Sequence, residues 1–439
     1  MIIKYDNFNY YFYWIIYFSY RFKIKPFLTL LIASFLSGIF LEINILETLY
    51  LIYEGFYSIV IVIGPIIIIG TLLGKFLNET GTSKKMVNTF ISYLGISNIP
   101  LSLNVIGLII SIPVFCDAAF ILMSSIVKDL SRISKKNIIL LSVCLATGLY
   151  STHVFVPPTP GPIAASAIID ADIGLLFLIG IIVGIFVSIS GYIWIRFLFK
   201  KEFKLNTEEI KSHDFISDRS IVSFLPIIVP IILISLSTVT KFPKLEINQL
   251  PFLKLFELIG KPEIALLIGF IMTLMFLRKD KIKETPLWLI KSLKNSFGIL
   301  LITGAGGALG YIIRESGIID NFSLNNVTGI ASIFSVFILA AILKTIQGSS
   351  TVAIVTTCAI TAPILQSIGM SSELEKVILI ISIGSGAMTI SHVNDSYFWV
   401  VSKYSNIEMN DVLKYFSSAT LIQGLTGLLL SIIIFIFLN

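Results

Sequence analysis

A few ionisable side chains stand inside stretches that are otherwise apolar, where a charge in hydrocarbon costs about 2.5–3.5 kcal/mol on insertion scales and so marks a functional candidate. Asp117 lies in SIPVFCDAAFILM (111–123), His153 in STHVFVPPTPGP (151–162), Lys344 ahead of TIQGSST, and His392 and Asp395 in SHVNDSYFW. Asp170 and Asp172 follow the proline-rich stretch in IIDADIG. A carboxyl in a poorly hydrated setting can exchange protons or cations. The other reading of Asp117 is a helix cap, or an aspartate at the mouth of a loop after Pro113. The two histidines titrate near neutral pH and can relay protons or donate to an anion, or serve as structural hydrogen-bonders.

Around them, KTIQGSSTVAIVTTCAITAP (344–363) and GSGAMTISHVNDS (384–396) concentrate small and hydroxylated residues. Such residues let helices pack closely. Alternatively they mark unwound backbone, whose amides and hydroxyls hold a carboxylate at half-helix N-termini; Lys344 would then supply the full positive charge an organic acid needs. On the second reading the candidate substrate ligands are Thr152, His153, Thr159 and Gly161, then Lys344, Gly348, Ser349, Ser350 and Thr351, then Ser391, His392 and Asn394. Asp117 and Asp395 are the candidate proton carriers.

The elements that must position these residues are membrane helices. The 439 residues are 56% hydrophobic and 13% charged, a composition foreign to soluble domains. Apolar runs long enough to span a bilayer recur throughout, for example at 26–41, 175–195 and 425–438. They lack the alternation of a barrel strand, so the chain is expected to be an all-α polytopic membrane protein of about 12 transmembrane helices, with re-entrant or broken pieces. The net charge of +6 does not point to nucleic acid. Basic residues cluster in short loops at 21–25, 128–136, 196–204 and 278–283, which the positive-inside rule puts in the cytoplasm. The N-terminal segment 8–20 is aromatic-rich and shows no small-residue cleavage site, so it is expected to remain as a helix.

The chain also repeats itself. GTLLGKFLNETG (70–81) and GGALGYIIRESG (306–317) share Gly70/Gly306, Gly74/Gly310, Glu79/Glu315 and Gly81/Gly317 at identical spacing, and STHV (151–154) is echoed by ISHV (390–393). The basic loops orient the first motif inward and the second outward, so the two halves are expected to be inverted, as in many secondary transporters with broken helices at the midplane. The halves are 1–199 and 221–439, joined by a polar cytoplasmic linker at 200–220 that holds a solvated His213.

Enzymatic signatures are absent. GAGGALG (304–310) lacks the dinucleotide spacing, and there is no H-E-x-x-H, G-x-S-x-G or P-loop. Cys116, Cys144 and Cys358 form no C-x-x-C pair, so neither disulfides nor a metal site is expected.

The ordered set GTLLGKFLNETG, FCDAAFILM, THVFVPPTPGPIAA with DADIG, ITGAGGALGYIIRESGI, QGSSTVAIVT and SHVNDSYFW resembles the gluconate permease family of proton-coupled symporters, within the ion transporter superfamily, from about residue 15 to the C-terminus. The resemblance implies uptake of a small sugar acid or hydroxy acid, or D-serine in one branch, with protons across the bacterial inner membrane. The implied partners are an organic anion, protons, the bilayer and a possible second copy in a homodimer, with no cofactor. Asp117 takes a position usually held by glutamate, and Lys344 one where arginine is common. Thr159 replaces a histidine, and Ser396–Tyr397 replace a proline–glycine pair. Two other readings remain open at this point: coupling to sodium or sodium/proton exchange, and a membrane-embedded sensor or binding protein that does not carry.

Overall fold

The computed structural model describes residues 26–94, 98–200, 220–240, 255, 257–315, 328–392 and 395–438. Among them the chain is helical, without a β-strand. Among the described residues five helices are long and apolar enough to cross a membrane, within Ile45–Val62, Ile138–Ile169, Ile173–Leu198, Lys279–Ile312 and Met409–Phe437, and six shorter apolar helices accompany them. The expected linker at 200–220, with His213, lies outside the described residues except for Lys200 and Ser220.

The order in the first half is α1 (Pro26–Phe40), α2 (Ile45–Glu79), α3 (Thr82–Leu94), α4 (Ile99–Ile110), α5 (Cys116–Ser134), α6 (Ile138–Phe155), α7 (Pro160–Ile169) and α8 (Ile173–Leu198). In the second it is α9 (Leu225–Thr240), α10 (Pro262–Thr273), α11 (Thr285–Glu315), α12 (Ile330–Gln347), α13 (Ser350–Thr361), α14 (Glu373–Met388), α15 (Ser396–Ser405) and α16 (Ser418–Leu438). From α2 and α11 onward, α3 apart, the two orders match. A long helix is followed by a pair split at 111–115 or 348–349, a pair split at 156–159 or 389–395, and a long apolar helix.

The splits have local causes. Prolines at 157 and 158 cannot continue α6, whereas Pro160 suits the first turn of α7, where its missing N–H is no loss. α12 ends on Gly348 at φ +68°, a left-handed cap that favours glycine, and Ser349 then caps α13 by accepting from the Val352 N–H at 3.4 Å. Two of the echoed glycines make close helix contacts: a Cβ on Gly74 would stand 2.7 Å from the Pro113 carbonyl oxygen in the split at 111–115, and one on Gly310 3.3 Å from that of Ala359 within α13. The repeat seen in the sequence is therefore a repeat of close helix approach.

Packing between helices cannot draw on the hydrophobic effect in lipid, so contact between small residues and buried polar bonds must hold the bundle. α6 lies at its centre, with every residue from Leu140 to Phe155 buried. Its backbone meets α4 where a Cβ on Gly148 would come within 2.0 Å of the Asn104 carbonyl oxygen. One turn away, the Asn104 amide donates to the Cys144 carbonyl and the Thr147 hydroxyl, both at 3.1 Å, and accepts from the Ser188 hydroxyl at 2.8 Å. Gln423 of α16 donates to the carbonyls of Thr147 at 2.9 Å and Val187 at 3.2 Å, tying the second half to the first. The outer helices instead expose apolar side chains, such as Leu46, Leu49 and Ile61 on α2 and Ile182, Phe186 and Ile193 on α8, as lipid-facing surfaces do.

A second tie lies at the start of α14. Lys376 donates to the Asp170 carbonyl at 2.6 Å and pairs with Glu373 at 2.9 Å, while Glu373 accepts from the Asp172 N–H at 2.8 Å. Asp170 and Asp172, candidates for chemistry in the sequence, thereby take structural positions as the left-handed cap of α7 and the N-cap of α8.

Two outcomes follow from this packing. Gly148→Ala should force α6 away from α4 and lose about 1–3 kcal/mol or more, read as a lower Tm and folded yield in detergent. Desolvation pushes the Glu373 carboxyl up, but the hydrogen bond from Lys376, the Asp172 N–H and the Lys376 charge outweigh it and hold the group below its ordinary value. A lowered carboxyl stabilises the fold above its unfolded pKa, and that contribution is lost as pH falls through the folded one. Glu373→Gln should flatten this acid limb of the Tm–pH curve while leaving the neutral limb in shape.

Candidate functional site

The four splits meet. The Phe115 ring from the first stands edge-on to His153, 6.4 Å between centroids, and the Ser396 N–H of the fourth donates to the Gly348 carbonyl of the third at 3.3 Å. Gly161, just past the second, presses on α13: a Cβ there would lie 2.9 Å from Ile354 Cδ1 and 3.8 Å from the Thr351 Cα.

At the meeting point Lys344 Nζ contacts Asp395 Oδ2 at 2.6 Å, with side chains 1% and 4% exposed. Sequence places these residues fifty-one positions apart; the ends of α12 and α15 bring them together. Asp395 also caps α15, its Oδ1 accepting from the Tyr397 N–H at 3.2 Å, and its Oδ2 accepts from the Ser391 hydroxyl. Ser391 is itself held on both sides, its N–H donating to Thr420 Oγ1 at 2.9 Å and its carbonyl accepting from the Ser417 hydroxyl. The carboxylate is therefore fully engaged, whereas the ammonium has no well-aligned hydrogen-bond acceptor among the described residues beyond its ion contact.

Asp117 lies in the first turn of α5, where the helix dipole favours an anion. It does not cap that helix; Phe115 holds the N-cap position without a side-chain bond. The Cys116 thiol is 3.8 Å from Asp117 Oδ1, and the charges of Asp395 and Lys344 both act on the Asp117 carboxyl. Two carboxylates and one ammonium thus share a poorly hydrated region. His153 is buried beside them, its ring stacked on Tyr150 at 19° and its Nδ1 without a hydrogen-bond partner among the described residues. His392 is half-buried, and its carbonyl accepts from the Asp395 N–H at 2.8 Å.

Other sequence candidates take structural duties. The Thr152 hydroxyl donates to the Leu108 carbonyl at 2.9 Å, joining α6 to α4, and Thr159 Oγ1 donates to Val156 at 2.5 Å within its turn. Gly161, Gly348 and Ser349 shape the splits, as described, and Thr351 is half-buried against Gly161. Ser350 is buried in the first turn of α13. Asn394 lies outside the described residues.

The structure adds two residues that the sequence did not single out as ligands. Tyr150 and Tyr397 are both fully buried, with ring centroids 5.2 Å apart. Tyr150 donates to the Ala387 carbonyl at 3.4 Å and Tyr397 to that of Ala146 at 3.2 Å, so each half reaches into the other. Their positions, directly before STHV and two residues after the aspartate of SHVND, were the available signal.

This constellation, an ion pair and further titratable groups held at broken helices in an apolar bundle, suits passage of a charged solute rather than covalent chemistry. The profile of the GntP family permeases matches residues 12–437. The chain belongs to the GntP permease family. It is 32% identical to an uncharacterized permease of Haemophilus influenzae, over 90% of this chain and 84% of that one. It is 28% identical to a gluconate permease of Pseudomonas aeruginosa (93% and 92%) and 29% identical to the D-serine transporter DsdX of Escherichia coli (93% and 93%). The fold is shared with the YdaH transporter of Alcanivorax borkumensis, at TM-score 0.61 and 14% identity over 88% of each chain. The permease is a multi-pass membrane transporter, not an enzyme.

Removing one member of a buried ion pair strands the other and costs about 3–5 kcal/mol, whereas removing both is often neutral. Lys344→Met should therefore depress the Tm sharply, and Lys344→Met combined with Asp395→Asn should recover most of the loss, as thermal unfolding in detergent would register.

Proposed function

We propose that this permease carries a small hydroxylated carboxylate inward across a bacterial inner membrane together with a proton. The observation that carries the reading is the charge inventory of the site: Lys344 faces Asp395 at 2.6 Å, with Asp117 close enough for both charges to act on it. A substrate carboxylate that binds Lys344 must displace Asp395. That would leave two protein carboxylates and the substrate's own charge against one ammonium, and an uncompensated buried ion costs several kcal/mol. One proton per anion, taken by Asp117 or by Asp395, restores the balance. Coupling then arises from electrostatics alone, without a metal.

The relatives support the substrate class. Among them are proteins named gluconate permease, Gnt-II system L-idonate transporter and D-serine transporter, and one named an inner membrane permease. Gluconate, idonate and serine each carry a carboxylate and at least one hydroxyl. His153, whose ring stacks on Tyr150, and His392, whose carbonyl accepts from the Asp395 N–H, suit those hydroxyls or the second carboxylate oxygen. The matched helix order of the two halves, 1–199 and 221–439, supports alternating access by inverted repeats, whose broken helices would meet at the midplane.

Reconstitution into liposomes tests the reading. With the interior made alkaline, radiolabelled gluconate, glycerate or D-serine should accumulate, the accumulation should collapse with a protonophore, and it should persist without sodium. Loss of uptake on omitting sodium would overturn proton coupling, and a panel without any accumulating member would overturn carriage of this class. Asp117→Asn should lower gradient-driven accumulation by about tenfold or more, equivalent to about 1.4 kcal/mol, while substrate counterflow continues; accumulation at the wild-type level would remove Asp117 from the coupling step.

A further inference from the structure

Lys344 has an environment that its ion contact does not explain. It is among the largest fully buried side chains of the protein, and an ammonium has three donors to satisfy. One approaches Asp395, and none has a well-aligned acceptor among the described residues. What the ammonium does face is the ring of Tyr150, whose centroid lies 5.9 Å from Nζ. That distance is within the range at which a cation is attracted by the negative face of an aromatic ring, and the attraction grows when water is excluded.

The Tyr150 ring is itself immobilised. Its hydroxyl donates to the carbonyl of Ala387 at 3.4 Å. Ala387 is in the last turn of α14, where a carbonyl has no intrahelical partner and must be satisfied inside the protein. His153 stacks on the ring, and Tyr397 and Phe416 close its remaining sides at 5.2 and 6.5 Å between centroids. A ring carried by α6 of the first half is thereby fixed to two split helices of the second.

We propose that Tyr150 is the positioning residue for Lys344: its ring face holds the ammonium in place while Asp395 and the substrate carboxylate exchange as its counter-ion. The inference rests on the reading of Lys344 as the anion-holding group. Between the departure of one carboxylate and the arrival of the other, the ammonium would otherwise stand in an apolar region without a partner. The ring supplies attraction that neither carboxylate has to displace. It also keeps Nζ from folding back along α12, so that the charge stays at the junction of the four splits.

Two substitutions separate the ring from the hydroxyl. Tyr150→Phe keeps the ring and loses the bond to Ala387; Tyr150→Leu loses the π-face. In liposomes, Tyr150→Leu should raise the KM for the transported acid by about tenfold, within the roughly 2- to 30-fold that a desolvated cation–π contact represents. Tyr150→Phe should stay within about threefold on the same scale. Equal KM values for the two variants, or a KM for Tyr150→Leu unchanged from wild type, would overturn the assignment.

A second arm needs no substrate. Thermal unfolding in detergent is measured for Tyr150→Leu in the wild-type chain and in the Lys344→Met, Asp395→Asn chain, where no charge remains to be held. The Tm loss should shrink by half or more in the neutral chain, because the interaction removed depends on the ammonium. Equal losses in the two chains would mean that Tyr150 only fills space and would overturn the proposal. Failure of Tyr150→Leu to fold in the charged chain but not in the neutral one counts as the same coupling, and failure in both counts against it. A wild-type protein that carries none of the acids tested refutes the transport reading through the first arm, while the second still decides the role of Tyr150.

Discussion

Every backbone group and every charge at membrane depth must find its partner within the protein, because hydrocarbon offers none. The splits at 111–115, 156–159, 348–349 and 389–395 interrupt helical hydrogen bonding in the middle of an apolar bundle, and the rest of the structure can be understood as the means of satisfying them. Gly348 and Ser349 close one helix and open the next, Asp395 caps α15, and the carbonyl of Ala387 receives the Tyr150 phenol. The Lys344–Asp395 contact is the charged part of the same arrangement. An isolated ion at either position would be prohibitive, so each residue accounts for the presence of the other.

Holding four splits together demands close helix approach, which explains the distribution of small residues. Gly148 brings α6 against the Asn104 carbonyl, and Gly74 and Gly310 bring the long helices under the first split and under α13. Around these contacts a few side-chain amides fix the register: Asn104 within the first half, Gln423 between the halves. The tie from Lys376 and Glu373 to Asp170 and Asp172 does the same at an exposed end of the bundle. The result is a centre tied together by close backbone contacts and a few buried amides drawn from helices of both parts of the chain.

Much of the site was legible as residue type. Asp117, His153, Lys344 and Asp395 stood out because charge in an apolar run is expensive, and the structure does bring them to one region. The small and hydroxylated residues between them were ambiguous between packing and binding. Thr152 and Gly161 serve packing: the Thr152 hydroxyl bonds the Leu108 carbonyl and Gly161 abuts Ile354. Asp170 and Asp172 illustrate the converse limit. Both are charged and near the proline stretch, yet one is a left-handed helix cap and the other an N-cap at an exposed turn, a difference set by which way the chain emerges from α7. The tyrosines escaped notice as ligands because an aromatic residue in a membrane helix is unremarkable until its neighbours are known.

Composition and hydropathy alone determined that this is a helical membrane protein, since no soluble core could bury so large an apolar fraction. The two echoed motifs pointed to related halves, and the helix order after α2 and after α11, α3 apart, runs the same way. Proline or glycine marked three of the four breaks, at Pro113, Pro157–Pro158 and Gly348, a local property of φ and of the missing N–H, whereas Pro65 and Pro230 lie within continuous helices. What only the tertiary structure decided is pairing: that Lys344 meets Asp395, that Tyr150 faces the ammonium, and that Asp117 shares their field. The physical reason is that electrostatic and aromatic contacts depend on distance in space, and here that distance is set by helices from opposite halves whose approach no local pattern encodes.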